Sequence, residues 1–330
     1  MNRDELFKFY PESWYPLCLS SELKKGQSKL IKAFDNTLLV FRSKTNKVGA
    51  IKRFCPHMGT DLNRAKIIED GPLCPFHFRQ FNNHGKCTTI FGSDEIPTNA
   101  HTISLSIKEE VGIIFGYLGS KVKFDFPIFS RLEDQNLYTS SSVANYELKT
   151  PYQALLFNGF DTHHLDCIHS RTISEDVIID SNNSFHLSAD YAMKVLPNSL
   201  YDKFIRLINT KENVVRLDCY GGNFLSITLK DTRDNILITS LPIDQNNSRI
   251  FLTSISNPEK RLHKKLFQKL RLELTTFLGI EFLKPDIEII EGMQPKYRGL
   301  YAKHDSSVIK FWQYWDKLPR DKEFQNSLFN

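Results

Sequence analysis

The 330-residue chain is 41% hydrophobic and 25% charged, enough apolar material for a real core and too ordinary a balance for extended disorder. Its formal net charge of +5 is small for the length and its lysines are spread out, which argues against a nucleic-acid-binding protein. MNRDELFKFYPESWYP at the start lacks an apolar core and a cleavage site, and runs such as VGIIFGYLG (111–119) are too short to span a bilayer. The expectation is a cytoplasmic protein, with peripheral membrane contact left open. There its six cysteines (Cys18, Cys55, Cys74, Cys87, Cys167, Cys219) would be metal ligands or buried thiols rather than a disulfide framework.

In chain order, residues 29–54 read as short strands, KLIKAF, TLLVFRS and VGAIKRF, broken at Asp35-Asn36 and Asn46. Alternation returns in HTISLSIKEE (101–110) and VGIIFGYL (111–118), so this part predicts a small all-β unit. GSKVKFDFPIFSRLEDQNLY (119–138) predicts a linker, and after YELKTPYQAL the segment NGFDTHHLDCIH (158–169) is taken as helical. Between 184 and 256, SFHLSADYAMKVL, KFIRLINT, NVVRLDCYG, NFLSITLK, NILITSLPI and RIFLTSIS alternate with turn residues, as an antiparallel meander requires. Residues 258–279 carry Leu262, Leu266, Leu270, Leu272, Leu274 and Phe277 at largely helical spacing, ending before Gly279. Within them KRLHKKLFQKLRLE reads as the solvated face of an amphipathic helix. The expected fold class is α+β, with domains at 1–125 and 126–330.

Two short segments carry a first cluster of soft donors: C-P-H-M-G (55–59) and C-P-F-H (74–77), or Cys-x-His, sixteen residues, then Cys-x-x-His. Cys55, His57, Cys74 and His77 suit either a Cys2His2 zinc site or a [2Fe–2S] cluster held by two thiolates on one iron and two imidazoles on the other. The one-residue gap in the first pair, and the absence of a following His-x3–5-His helix, favour the cluster. Cys87 reads as a core thiol.

A second cluster lies in 158–169. Treated as one helix, with Asp161 at zero, about 100° per residue puts His164 near about −60°, His169 near about +80° and Asn158 near about +60°. On the same projection His163 falls at about 200° and Asp166 at about 140°, which leaves them to packing, solvent or a surface ion pair. Two imidazoles flanking one face can bind a metal, with Asp161 between them as a supporting group. An O2-activating ferrous site needs a carboxylate as well. Glu281, Asp286, Glu288 and Glu291 in 278–294 are the candidates.

Together, CPHMGTDL, CPFHFRQFNNHGKC and Asn158-x-x-Asp161-x-x-His164-x4-His169 resemble the ligand motifs of the Rieske non-haem iron oxygenases, from about residue 13 to about 318. Phe78-Arg79 departs from the Gly-Trp found after the second histidine in many members. The small members with only an α subunit, such as ketosteroid 9α-hydroxylase oxygenases, look most similar, through DIEIIEGMQ and SSVIKFWQYWDKL. The resemblance implies an N-terminal all-β Rieske domain holding the [2Fe–2S] cluster and a C-terminal helix-grip-like catalytic domain holding one Fe(II). It selects Asp286 as the third iron ligand beside His164 and His169, and assigns Asp161 as a bridge to His77 of a neighbouring subunit in a homotrimer, with Asn158 either supporting Asp161, facing the iron or simply packing as a helix amide. It also implies electrons from a separate ferredoxin or reductase, O2, and a small apolar organic substrate that is hydroxylated or oxidatively dealkylated. The alternatives are a cis-dihydroxylating dioxygenase, a non-catalytic Rieske electron carrier, and a lipid-binding module of helix-grip type.

Overall fold

The computed structural model describes residues 7–129, 132, 139–173, 177–195, 213–229, 234–297 and 299–329. The expected strand KFIRLINT and most of the second half of the linker lie outside them. The chain divides into two compact units, one of residues 7–125 with 241–245 and 320–330, the other of residues 126–240 with 246–319.

The first unit opens with β1 (Trp14–Leu19), β2 (Gln27–Ala33), β3 (Asn36–Arg42) and β4 (Val48–Lys52); β1, β3 and β4 are buried along nearly continuous runs, as strands covered on both faces are, and β2 is more exposed. Four short strands follow, β5 (Lys66–Ile67), β6 (Pro72–Leu73), β7 (Gln80–Phe81) and β8 (Cys87–Thr89), then β9 (Ser104–Glu110) and β10 (Ile113–Tyr117). They make a six-stranded sheet, β1-β10-β9-β4-β3-β2, and a four-stranded sheet, β5-β6-β7-β8. The β2–β3 turn falls at Phe34-Asp35, one residue earlier than the sequence suggests, with φ of 56° and 58°. Two consecutive positive φ values match the right-handed twist of the strands they join. Between the sheets lies an apolar core of Leu39, Phe41, Ile51, Leu62, Ile67 and Phe81, into which Cys55, Cys74 and Cys87 also point.

The last residues of the chain fold back onto this unit. Gln325 accepts from the Tyr10 amide at 3.0 Å and donates to the Tyr10 carbonyl at 2.8 Å, and the Asn36 side chain donates to the Leu328 carbonyl at 2.8 Å. Nothing in the local sequence of 320–330 signals that return.

In the second unit, β11 (Thr139–Ser140) and β12 (Ala144–Leu148) lead into α1 (Gln153–Phe160) and α2 (Thr162–His169). Strands β13 (Arg171–Ile173), β14 (Ile178–Asn183), β15 (His186–Val195), β16 (Asn213–Tyr220), β17 (Phe224–Leu229), β18 (Asn235–Pro242) and β19 (Ser248–Ser256) follow. Helices α3 (Leu262–Ile290), α4 (Ser306–Lys317) and α5 (Lys322–Phe329) complete the chain, the last belonging to the first unit. The sheet runs β11-β19-β18-β17-β16-β15-β13, with β12 beside β19 and β14 beside β15. The fold is α+β, as expected.

One face of this sheet carries the helices. A Cβ on Gly159 of α1 would meet Leu225 at 3.0 Å, and one on Gly279 of α3 would meet Ile236 at 3.4 Å, so small residues let both helices approach closely. Helix α4 seats Phe311 on Phe160 and Trp312 on Phe157 at ring separations of 5.4 Å. Removing a buried aromatic here, as in Trp315→Ala, would cost about 3–5 kcal/mol. Hydroxyls fasten α3 to the sheet: Thr276 Oγ1 lies 2.6 Å from Ser141 Oγ and donates to Ser254 Oγ at 2.8 Å.

Helix α3 differs from its sequence reading in two ways. It continues through Gly279 and Pro285 to Ile290. It also turns Leu272, Thr276, Leu283 and Asp286 inward and leaves Leu262, Leu266, Leu270, Leu274 and Phe277 exposed. The leucine spacing that usually marks a core face therefore marks an outer one.

Candidate metal centres

The loops at 55–60 and 74–79 have one geometry. In the first, the Cys55 amide donates to the Thr60 carbonyl and the Gly59 amide to the Cys55 carbonyl, both at 2.9 Å. In the second, the Cys74 amide donates to Arg79 at 2.8 Å and the Phe78 amide to Cys74 at 3.0 Å. The residue four after each cysteine must adopt positive φ: Gly59 at 71° and Phe78 at 51°. A non-glycine residue there stores roughly 1–2 kcal/mol of strain. The departure at Phe78 thus bears on the loop's backbone, and the exposed ring meets Phe91 edge-on at 5.9 Å.

Each loop points its thiol inward and its imidazole outward. Cys55 and Cys74 are 3% and 2% exposed, whereas His57 is exposed and His77 half-buried. The two rings lie 4.9 Å apart. Burial, and then the neighbouring Cys74 sulfur, raise the Cys55 thiol above its ordinary range. His57 is held below its usual value by desolvation, then by Arg79 and His77. A thiol that resists ionising beside an imidazole that resists protonation is compatible with a bound cation among them. These four side chains therefore fit a cluster with two thiolate and two imidazole ligands. Arg53 and Asp61 brace the first loop at 2.6 and 3.0 Å, and the pairing holds the Asp61 carboxyl at about 2. Cys87 is fully buried and meets the Thr89 carbonyl, the core thiol expected of it.

The second group forms around α2. The run 153–169 is two helices, not one: Asp161 has extended backbone angles of −80° and 93° between them. Its carboxylate caps α2, Oδ1 accepting from the amides of His163 and His164 at 3.1 and 3.2 Å. The break removes the shared face on which Asn158 and Asp161 were aligned with the histidines. Only the spacing within α2, from His164 to His169, keeps its helical meaning.

His164, His169 and Asp286 converge, their ligand atoms all within 4.8 Å of one another. His169 Nε2 is 2.7 Å from Asp286 Oδ1, and His164 Nε2 is 3.7 Å from the same oxygen. Their side chains are only 4%, 11% and 3% exposed for His169, His164 and Asp286. Burial keeps His164 below its ordinary pKa, opposed by the Asp286 charge. Its Nδ1 donates to the Asp161 carbonyl oxygen, so Nδ1 carries the proton and Nε2 is left with its lone pair. Asn158 Nδ2 lies 3.4 Å from that Nε2, which places the amide at the ligand edge of the ring rather than on Asp161.

The other candidates lie elsewhere. Glu281 pairs with Lys284, while Glu288 and Glu291 are exposed. His163 stacks on His304 at 4.9 Å. Asp166 is exposed and, against expectation, no ion pair of it is found among the described residues.

Two flanking residues escaped the sequence reading. The Phe282 ring stacks on His169 at 4.0 Å and 13°, and the Arg171 guanidinium lies 5.8 Å from the Phe282 centroid while donating to the His169 carbonyl at 2.8 Å. Phe282 stands four residues before Asp286, one helical turn away, a spacing that could have exposed it once Asp286 was chosen. Pro285, between them, cannot donate a helical bond to the Glu281 carbonyl and so loosens the ladder beside the carboxylate.

Residues 13–100 match the Rieske [2Fe-2S] domain. Cholesterol 7-desaturase nvd 1 of Ciona intestinalis is 33% identical over 170 residues, 50% of this chain and 36% of that protein. The chain thus spans little more than a third of the length of that relative. Aminopyrrolnitrin oxygenase PrnD of Pseudomonas fluorescens is 23% identical over 332 residues, 92% of this chain and 90% of that one. Among solved structures, NdmA of Pseudomonas putida CBB5 with caffeine superposes with a TM-score of 0.69 at 17% identity, covering 99% of this chain and 96% of that one.

Proposed function

We propose that this chain, a Rieske oxygenase component by its cluster domain, its relatives and its fold, inserts one atom of O2 into a C–H bond of an apolar organic molecule. Substrate, O2, two electrons and two protons give an alcohol and water. An alcohol on a carbon bearing nitrogen or oxygen then breaks its C–N or C–O bond, releasing that carbon as an aldehyde or ketone and leaving the dealkylated amine or alcohol. The electrons come from a separate ferredoxin or reductase. The observation that carries the reading is the buried convergence of His164, His169 and Asp286, the two-histidine, one-carboxylate set that an O2-activating ferrous site uses.

When bound, the cluster supplies electrons singly and the mononuclear iron activates O2. Cys55, His57, Cys74 and His77 would hold the cluster within residues 1–125, and His164, His169 and Asp286 the iron within 126–330. The rest of the site prepares those ligands. The Asp161 carbonyl fixes the His164 proton on Nδ1 and so aims the Nε2 lone pair inward. Phe282 covers one face of His169, keeping water off it, and Arg171 holds Phe282 and the end of α2 together. The Asn158 amide beside His164 Nε2 is a polar group within reach of whatever binds there.

In this reading the Asp161 carboxylate is also the bridge reached by His77 of a neighbouring protomer in a homotrimer. Half-exposed His77, at its loop tip, supports that role. Six free cysteines support a reducing, cytoplasmic setting. Substrates named for the relatives, cholesterol and aminopyrrolnitrin, support an apolar target.

The test is anaerobic reconstitution of both iron centres, then turnover under 18O2 with a generic reductase and a panel of sterols and N- or O-methylated aromatics. A product carrying one labelled oxygen, or its dealkylated counterpart, is expected. Products with two labelled oxygens would replace monooxygenation by dihydroxylation, and cluster reduction without any product would leave an electron carrier.

A further inference from the structure

Along the first half of α3, Leu262, Leu266, Phe267, Leu270, Leu274 and Phe277 are 50–83% exposed. At about 100° per residue they occupy one arc of about 140°, on the side away from the buried row of Leu272, Thr276 and Leu283. The stripe is about 22 Å long. Scattered exposed leucines need no explanation, but six on one helix face, interrupted there only by His263 and Glu273, form a largely apolar surface.

Lysines and arginines line both edges. Lys264 and Arg271 fall on one side and Lys269 on the other, Lys260 lies just before the helix, and Lys265 projects toward the buried row. Arg271 pairs with Asp234, whereas Lys260, Lys264, Lys265 and Lys269 make no ion pair among the described residues. The nearby carboxylate of Glu273 is engaged by the amide and hydroxyl of Ser142, both at 2.8 Å. Nor do these cations serve the helix. Its N-terminus has no side-chain cap and no acidic residue in the first turn. Positive charge there opposes the helix dipole. An external anionic surface would offset that cost.

Lysine is depleted at protein–protein interfaces, but it flanks the apolar face of helices that lie in the membrane interface, where leucine and phenylalanine enter the acyl boundary. No helix among the described residues is long and apolar enough to cross a membrane, so this one would lie flat. We propose that α3 from its N-terminus to Phe277 is a docking surface for an anionic phospholipid bilayer. Its leucines and phenylalanines enter the headgroup boundary and its lysines contact lipid phosphates. The surface is separate from the metal ligands, for Phe277 precedes Asp286 by nine residues, about 14 Å along the helix.

The test is sedimentation of the iron-loaded full-length protein at low salt with vesicles of phosphatidylcholine alone, or with roughly a third phosphatidylserine. Binding to the anionic vesicles, weakened by salt, is expected. Two variants, Lys264→Glu with Lys269→Glu and Leu266→Ser with Leu270→Ser, should keep the cluster absorption and iron content. The charge pair should bind at least about 25-fold more weakly, about fivefold for each cation removed. The leucine pair should lose binding that high salt does not already remove. The proposal falls if the wild-type chain ignores anionic vesicles, or if both variants bind them as well as it does. If the leucine pair alters only the oligomeric state in light scattering, a second copy of the chain covers this face instead.

Discussion

The two candidate metal-binding regions differ in how far apart the chain carries their donors. Cys55, His57, Cys74 and His77 come from two loops of the same backbone geometry, braced by one small core. His169 and Asp286 meet across 117 residues, one on a short helix and the other deep in a long one. In the first region local turns set the geometry. In the second it depends on how α2 and α3 sit on one sheet. Substitutions at the cluster loops should therefore act on one centre alone, whereas those around the iron should also report on helix packing.

The largest effect expected is a clean separation of the centres. Cys74→Ser should abolish the cluster absorption and turnover while leaving the mononuclear iron, and Asp286→Ala the reverse; metal analysis with visible spectroscopy checks both. Loss of both centres in either variant would break the comparison. Next in size is Asp161→Ala. It should keep both metals but lower turnover about 10- to 100-fold. It should also cost about 1 kcal/mol through the lost cap of α2, read from denaturant midpoints. Full activity would remove the bridging role.

Phe282→Ala should weaken mononuclear iron binding about tenfold, measured by chelator competition, without changing the cluster spectrum. His163→Ala should leave iron content unchanged, since its ring stacks on His304 away from the convergent atoms. The smallest effect, Phe78→Gly, should stabilise the second cluster loop by up to about 1 kcal/mol through relief of positive-φ strain. A lowered unfolding midpoint would mean that the Phe78–Phe91 contact outweighs the strain.

The same contrast governs what was legible in advance. Donor type and spacing carried the cluster loops, because the ligands lie within one short stretch of chain. The antiparallel sheet followed from alternation and turn residues. The iron site was legible only in pieces: a helical projection chose among the histidines, but no local signal distinguished Asp286 from Glu281, Glu288 or Glu291 without the family likeness. The projection also ran through Asp161, whose short side chain satisfies the first amides of α2 better as a cap than inside a helix. Leucine periodicity located α3 but not its buried side. Periodicity reports amphipathicity, and which face the sheet covers depends on small residues such as Gly279 and on the Ser141–Thr276–Ser254 hydroxyls. The return of 320–330 to the first unit rests on long-range bonds from Gln325 and Asn36, invisible to any local pattern.

The central claim, that two separate iron centres occupy these two regions, is tested most directly by iron and acid-labile sulfide analysis of reconstituted wild-type and Asp286→Ala protein. The account predicts one [2Fe–2S] cluster plus one further iron per chain in the wild type. In the variant that further iron alone should disappear, with the cluster absorption unchanged. Retention of the additional iron by Asp286→Ala would contradict it.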